Sequence, residues 1–194
     1  MLFSVVTFQD GLTTMSHKGG TIELIVGCMF VGKTKKLIEC HQKYTAKGKA
    51  VLVVSYRKDQ RYGSSGLRTH CGQHLASVSG ESLDETKIQE LAADAEVILI
   101  DEAQFFDALE KNCKKWAYDG KIVVCAALDM DYTGKNFETI AQLPADYITK
   151  LTGTCVYCQE PSTFTHRTSD ETALEVIGGA EKYQPVCRQC HANQ

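Results

Sequence analysis

The sequence lacks any long apolar run. No stretch of its 194 residues approaches the ~20 apolar residues that a membrane-spanning helix needs, so no membrane partner is expected. It also lacks charge of one sign. With 21 Lys and Arg against 24 Asp and Glu the formal balance is −3 at pH 7, so the molecule as a whole has no electrostatic attraction for nucleic acid, and no nucleic-acid partner is expected. No Lys or Arg precedes the mildly apolar start from Met1 to Gly11, and Asp10 interrupts it. The start therefore does not resemble a secretory signal or an Arg-rich transit peptide. Residues 1–19 read as a loose leader with no function assigned. Internal repeats and low-complexity tracts are missing as well.

What is present is ordinary for a soluble globular protein: 43% hydrophobic and 23% charged residues, in a length that suits one core of moderate size or one domain plus a small appendage. Short apolar runs at 21–26, 50–55, 96–100 and 121–128 read as strands, with a further one at 145–151. The runs at 96–100 and 121–128 are continuous rather than alternating, as parallel strands buried on both faces require. Helical spacing falls between them at 33–46, 83–95 and 105–118, and the polar stretch 57–72 reads as a mobile loop. Alternating strands and helices predict an α/β fold with a mostly parallel sheet over residues 20–150. After about Leu151 the sequence becomes short-segmented and turn-rich, which places a second, small domain at 151–194.

Gly27-Cys28-Met29-Phe30-Val31-Gly32-Lys33-Thr34 matches GxxxxGK[ST] and sits between a predicted strand and a predicted helix, the context that a phosphate-binding loop needs. Its glycines let backbone N–H groups turn inward around phosphate, and the helix N-terminus adds partial positive charge. Gly27, Met29, Phe30, Val31, Gly32, Lys33 and Thr34 would form the cradle. Lys33 would reach the β- and γ-phosphates, and the Thr34 hydroxyl would ligate Mg²⁺. Asp101 and Glu102 follow directly on the strand at 96–100. An acid at the carboxyl end of a neighbouring strand can hold Mg²⁺ through water, and an adjacent Glu can take a proton from the attacking group. The pair fixes phosphate chemistry but leaves the acceptor open: water in an ATPase, a hydroxyl in a kinase. Asp129 and Asp131 could approach the same place, although turn roles suit them better.

Nine cysteines is a high count. Five are scattered through the predicted elements. Cys155 with Cys158 and Cys187 with Cys190 form two CxxC pairs, whose four thiolates would complete a closed tetrahedral zinc shell, a structural site rather than a catalytic one. Redox pairs or an iron–sulfur cluster are the alternatives, and zinc is favoured. Between the pairs His166, Arg167 and Lys182 are balanced by Asp170, Glu171, Glu175 and Glu181, so the segment offers nucleic acid no basic face.

In combination these motifs are specific. GCMFVGKT (27–34), DEAQFF (101–106), ALDMDYTGKNF (127–137), EVIGGAEKY (175–183) and the CxxC pairs resemble the type II thymidine kinases, the zinc-containing cytosolic class, over residues 20–190. The resemblance implies an enzyme that moves the γ-phosphate of ATP to the 5′-hydroxyl of thymidine in nucleotide salvage for DNA synthesis, with deoxyuridine left open as an acceptor. It implies Glu102 as general base and Thr34 with Asp101 as the Mg²⁺ pair. Met29, Phe105, Leu128, Tyr132 and Phe137 are similar to the apolar residues around sugar and base. Thr165 and the backbone of Val176, Ile177, Gly178 and Gly179 would meet the base edges in a lasso-like lid, with Tyr183 covering the site. Arg61, in the family's D-x-R-Y pattern, would steady the transferred phosphate. The same resemblance implies a cytoplasmic homotetramer with structural Zn²⁺, inhibited by its end product thymidine triphosphate.

The chain departs from the family pattern at Cys28, Val31, Thr34, Ala103 and Tyr132, and none of these changes removes a catalytic group. Two rivals make different predictions. A P-loop ATPase whose zinc module binds nucleic acid or protein would turn over ATP without nucleoside. A non-catalytic nucleotide-binding regulator would be indifferent to Glu102→Gln.

Overall fold

The computed structural model describes residues 19–57, 67–68, 74–174, 176 and 178–193. Nearly all of the 1–19 leader, Arg61 with most of the 57–72 loop, and Ile177 lie outside the described residues. In chain order the strands are β1 (Thr21–Val26), β2 (Val51–Tyr56), the short β3 (Leu67–Arg68) and β4 (His74–Leu75), β5 (Val78–Gly80), β6 (Val97–Ile100), β7 (Ile122–Ala127), β8 (Tyr147–Lys150), β9 (Gly153–Thr154), β10 (Pro161–Ser162), β11 (Phe164–Arg167) and β12 (Tyr183–Val186). The helices are α1 (Lys33–Thr45), α2 (Thr86–Asp94), α3 (Leu109–Tyr118), α4 (Glu138–Ala141) and α5 (Arg188–Ala192).

Six strands form one sheet in the order β5-β2-β6-β7-β1-β8, and every pairing in it is parallel. The continuous apolar runs find the environment they predict: all four residues of β6 are fully buried, and each such side chain withdrawn from water contributes about 1.5–3 kcal/mol. The period-2 alternation of side chains sorts them between two faces. Ile98, Ile100, Val123 and Cys125 pack with Ile88 of α2 and Leu109, Cys113 and Trp116 of α3. Val97, Leu99, Val124 and Ala126 pack with Leu37, Cys40 and Tyr44 of α1. The architecture is therefore α/β with helices on both faces.

Two helices begin later than their spacing predicts. The 83–95 helix starts at Thr86, because the Glu85 carboxylate accepts from the backbone N–H of Glu81 and Ser82 and folds the preceding residues into a turn. The 105–118 pattern breaks in two. Ala103–Phe105 makes one 3₁₀ turn, the chain extends again at Phe106, and α3 starts at Leu109. Phe106 is fully buried and meets Tyr56 edge-on at 5.4 Å, so tertiary packing overrides local helix propensity here.

Parallel strands put all their carboxyl ends on one side, the side where open α/β sheets bind ligands. Gly27, Asp101 and Leu128 follow β1, β6 and β7 at that end. Beyond β8 the chain forms two small antiparallel ladders, β9 with β10 and β11 with β12. Their own core is slight, consisting of Cys155, Phe164 and Val186.

Candidate active site

The loop between β1 and α1 needs its glycines for two different reasons. Gly27 has φ +150, and a Cβ there would meet Leu151 O at 2.5 Å. Gly32 has φ +90 and nothing within 4 Å of its missing Cβ, so a left-handed backbone alone demands glycine. Phe30 also adopts a left-handed conformation, with φ 66. The Val31 side chain packs toward Gly153, whose Cβ would lie 3.1 Å from Val31 Cγ1. The Lys33 ammonium donates to Cys28 O at 2.7 Å, closing the loop on itself. Burial pulls that ammonium below the ordinary lysine range, while the carboxylates of Glu102, Asp101 and Asp129 oppose the shift.

Strand ends bring the acids to this loop. Thr34 Oγ1 donates to Asp101 Oδ2 at 3.2 Å, so the hydroxyl and carboxylate singled out for Mg²⁺ are neighbours. Hydroxyl and carboxylate oxygens are the hard donors that such an ion prefers. Glu102 takes a left-handed backbone, φ 52 and ψ 43, an uncommon conformation for a side-chain-bearing residue. Its Oε2 accepts from Gln104 Nε2 at 2.7 Å.

Of the five predicted apolar residues, Phe105 and Phe137 meet each other, and Met29, Leu128 and Tyr132 make contacts elsewhere. Phe105 stacks on Tyr56 with centroids 5.2 Å apart and meets Phe137 edge-on at 6.0 Å. Leu128 is only partly buried and is tied through its N–H to Gln104 Oε1 at 3.0 Å. Met29 is buried, and its N–H donates to Thr165 Oγ1 at 3.0 Å. Tyr132 lies with the C-terminal segment: its hydroxyl donates to Thr172 O at 3.2 Å, and the Arg167 guanidinium stands 3.7 Å from its ring centroid. Tyr183 is buried and donates to Val176 O at 2.7 Å. Gly178 is buried and Gly179 partly so, and Gly179 N–H donates to Glu181 Oε1.

Of the two further acids, Asp131 is a turn residue whose Oδ1 accepts from Thr133 N, Thr133 Oγ1 and Lys135 N. Asp129 pairs with Lys150 at 2.7 Å and contributes to the field at Lys33.

The Sγ atoms of Cys155, Cys158, Cys187 and Cys190 all lie within 4.8 Å of one another. Cys158 is 3.5 Å from Cys187 and 3.7 Å from Cys190. A tetrahedron with Zn–S bonds of about 2.3 Å has edges of about 3.8 Å, so the cluster has the dimensions of a Zn–S₄ shell. Burial opposes ionisation of Cys155, but the backbone N–H groups of Cys187, Cys158 and Tyr157 outweigh it and bring the thiol down to about 6. The donor set suits zinc and could hold it.

The sequence alone assigns no role to Gln104 or to Tyr56, and in it Arg167 is one charge in a balanced segment. Gln104 and Arg167 are polar groups buried to 4% and 6% exposure, a property that only the folded chain reveals. The one available signal for Gln104 was a long amide set in an otherwise apolar run, Ala103–Phe106.

Among the described residues, no helix is long and apolar enough to cross a membrane. The family model described as thymidine kinase matches residues 20–191. The chain is similar to the thymidine kinase of Myxoma virus (strain Uriarra), 41% identical over 91% of this chain and 99% of the relative. It is 42% identical to that of Rabbit fibroma virus (strain Kasza), with the same coverage. It is 39% identical to that of Vaccinia virus (strain Western Reserve), over 89% of this chain and 97% of the relative.

Proposed function

The chain belongs to the thymidine kinase family, and on that premise we propose that it transfers the γ-phosphate of ATP to the 5′-hydroxyl of thymidine. The observation that carries the reading is the meeting of Thr34 and Asp101 at 3.2 Å beside a glycine-turned phosphate loop, with Glu102 next in the chain.

The N–H groups from Gly27 to Thr34 receive the triphosphate. Lys33 exchanges its bond to Cys28 O for phosphate oxygens, whose negative charge makes the stronger, charge-assisted partner. Mg²⁺ arriving with ATP would be held by Thr34 and Asp101, and when bound it neutralises charge on the β- and γ-oxygens. Glu102 accepts the proton of the nucleoside hydroxyl. Met29, Phe105, Leu128, Tyr132 and Phe137 surround sugar and base. Thr165 and the backbone of Val176, Ile177, Gly178 and Gly179 read the base edges under Tyr183, and Arg61 steadies the transferred group.

We read residues 20–150 as the ATP-binding domain and 151–194 as a lid. Zinc on the four cysteines supplies folding energy that the small C-terminal core lacks. The lid excludes water, so ATP is spent on the nucleoside. A cytoplasmic homotetramer serving nucleotide salvage, with thymidine triphosphate as feedback inhibitor, completes the proposal.

The test is incubation with Mg·ATP and each nucleoside in turn. Thymidine monophosphate is the expected product. ADP released at the same rate with no nucleoside present would overturn the reading in favour of an ATPase.

A further inference from the structure

We propose that Gln104 is a positioning residue for phosphoryl transfer, fixing the Glu102 carboxylate to the carboxyl end of β7; this rests on the reading of Glu102 as the proton acceptor. Every polar group of Gln104 beyond its own N–H is engaged. Nε2 donates to Glu102 Oε2 at 2.7 Å, Oε1 accepts from Leu128 N at 3.0 Å, and the backbone oxygen accepts from Thr139 Oγ1 at 3.0 Å.

Donor logic fixes the direction of the amide. The Leu128 N–H can only donate, so the amide oxygen must face it. The NH₂ group then faces Glu102, whose oxygen must accept. Gln104 is buried to 4% exposure, so neither bond has water as a ready substitute.

Glu102 needs such a tether. Its left-handed backbone is unfavourable for a residue with a side chain and persists only where surroundings enforce it. It stands at the entry to a single 3₁₀ turn, which by itself is too short to be rigid. Gln104 lies in the same turn but is anchored to a different strand. Holding one carboxylate oxygen fixes the plane of the group, and the same amide sets the backbone of Leu128, which lines the proposed nucleoside site. General base and apolar wall thus share one register, the kind of preorganisation that raises kcat more than it lowers KM.

The experiment compares wild type, Gln104→Leu, Gln104→Glu, Glu102→Gln and the double variant Glu102→Gln/Gln104→Leu, by steady-state kinetics and single turnover with enzyme in excess. Melting curves check folding. Gln104→Leu is expected to lower kcat about 10- to 100-fold with nucleoside KM within about threefold of wild type. Gln104→Glu keeps an acceptor for Leu128 N, so it preserves that anchor if Gln104→Leu fails to fold. It should also lower kcat, because it loses the donor to Glu102. On the Glu102→Gln background, Gln104→Leu should cost less than about twofold, the non-additivity of residues acting as a unit. An undiminished cost on that background would overturn the positioning role alone. Wild-type turnover by Glu102→Gln itself would sink the general-base reading and this inference with it.

Discussion

The backbone N–H of Met29 donates to the Thr165 hydroxyl at 3.0 Å, joining residues 136 positions apart. One belongs to the phosphate loop, the other to the β11–β12 hairpin that the cysteine cluster closes. The Cys28 thiol lies 3.8 Å from both Ser162 O and Ser162 Oγ, a second contact, from the same loop to β10. The phosphate loop therefore touches the C-terminal segment at two points.

Thr165→Val keeps the side-chain shape and strands the buried Met29 N–H, a loss of about 1–3 kcal/mol. Nucleoside KM should rise several-fold and the melting temperature fall, while Thr165→Ser stays near wild type. Unchanged KM and melting temperature in Thr165→Val would show that the bond does nothing.

Zinc removal should separate the two halves of the molecule. Purified protein is expected to carry one zinc per chain, and a strong chelator should release it with loss of nucleoside phosphorylation. The β9–β12 ladders would melt first, since Cys155, Phe164 and Val186 are a small core and structural zinc supplies about 10–16 kcal/mol of binding free energy. The parallel sheet, with its own two-faced core, should melt later. Metal-free protein with full activity and a single unaltered transition would refute this.

How much of this was legible before folding depends on where the information sits. β6 and β7 were readable because burial on both faces writes an uninterrupted apolar run, and a strand end then locates Asp101 and Glu102. The four cysteines were readable because thiolate pairs need a fixed short spacing. β5 leaves no mark in the sequence, since three residues, Val78–Gly80, carry too little periodicity to count. The break at Phe106 was invisible because it answers to Tyr56, fifty positions earlier by sequence number. The Gln104 tether and the Arg167 contacts depend on which backbone groups are left over when strands and loops meet, and no local pattern records that.

An alkaline prediction comes from the α1 side of the sheet. Tyr44 is buried and donates to Glu23 Oε1 at 3.0 Å. Burial, and then the Glu23 charge, push its phenol up to about 12. The folded state holds this proton more tightly than the unfolded chain, whose tyrosines titrate near 10. Its stabilising contribution is complete below about pH 10 and is lost as pH rises toward 12. Tyr44→Phe should therefore be less stable than wild type at pH 8, and the gap should narrow between pH 10 and 11. Urea unfolding at each pH measures it. A gap that stays constant across that window would contradict the assignment.

Arg167 carries the last prediction. Its guanidinium is buried, with Nη1 donating to Glu171 O at 2.8 Å and Ala173 O at 2.6 Å and Nη2 to Leu174 O at 3.1 Å. The same group lies over Tyr132 at 3.7 Å and near Tyr183 at 5.3 Å. Carbonyl dipoles and two aromatic faces thus compensate a charge that would otherwise be costly to bury. Residues 171–174 are all exposed, so they have little core of their own and depend on this side chain for their path. Arg167→Met fills similar length but donates nothing. It should lower stability by at least about 2 kcal/mol, speed proteolysis within residues 168–174 and raise nucleoside KM more than ATP KM. Arg167→Lys should fall between, since a single ammonium cannot reproduce the planar fork that spans three carbonyls. If Arg167→Met is cleaved no faster than wild type and binds nucleoside as well, the side chain does not hold the lid.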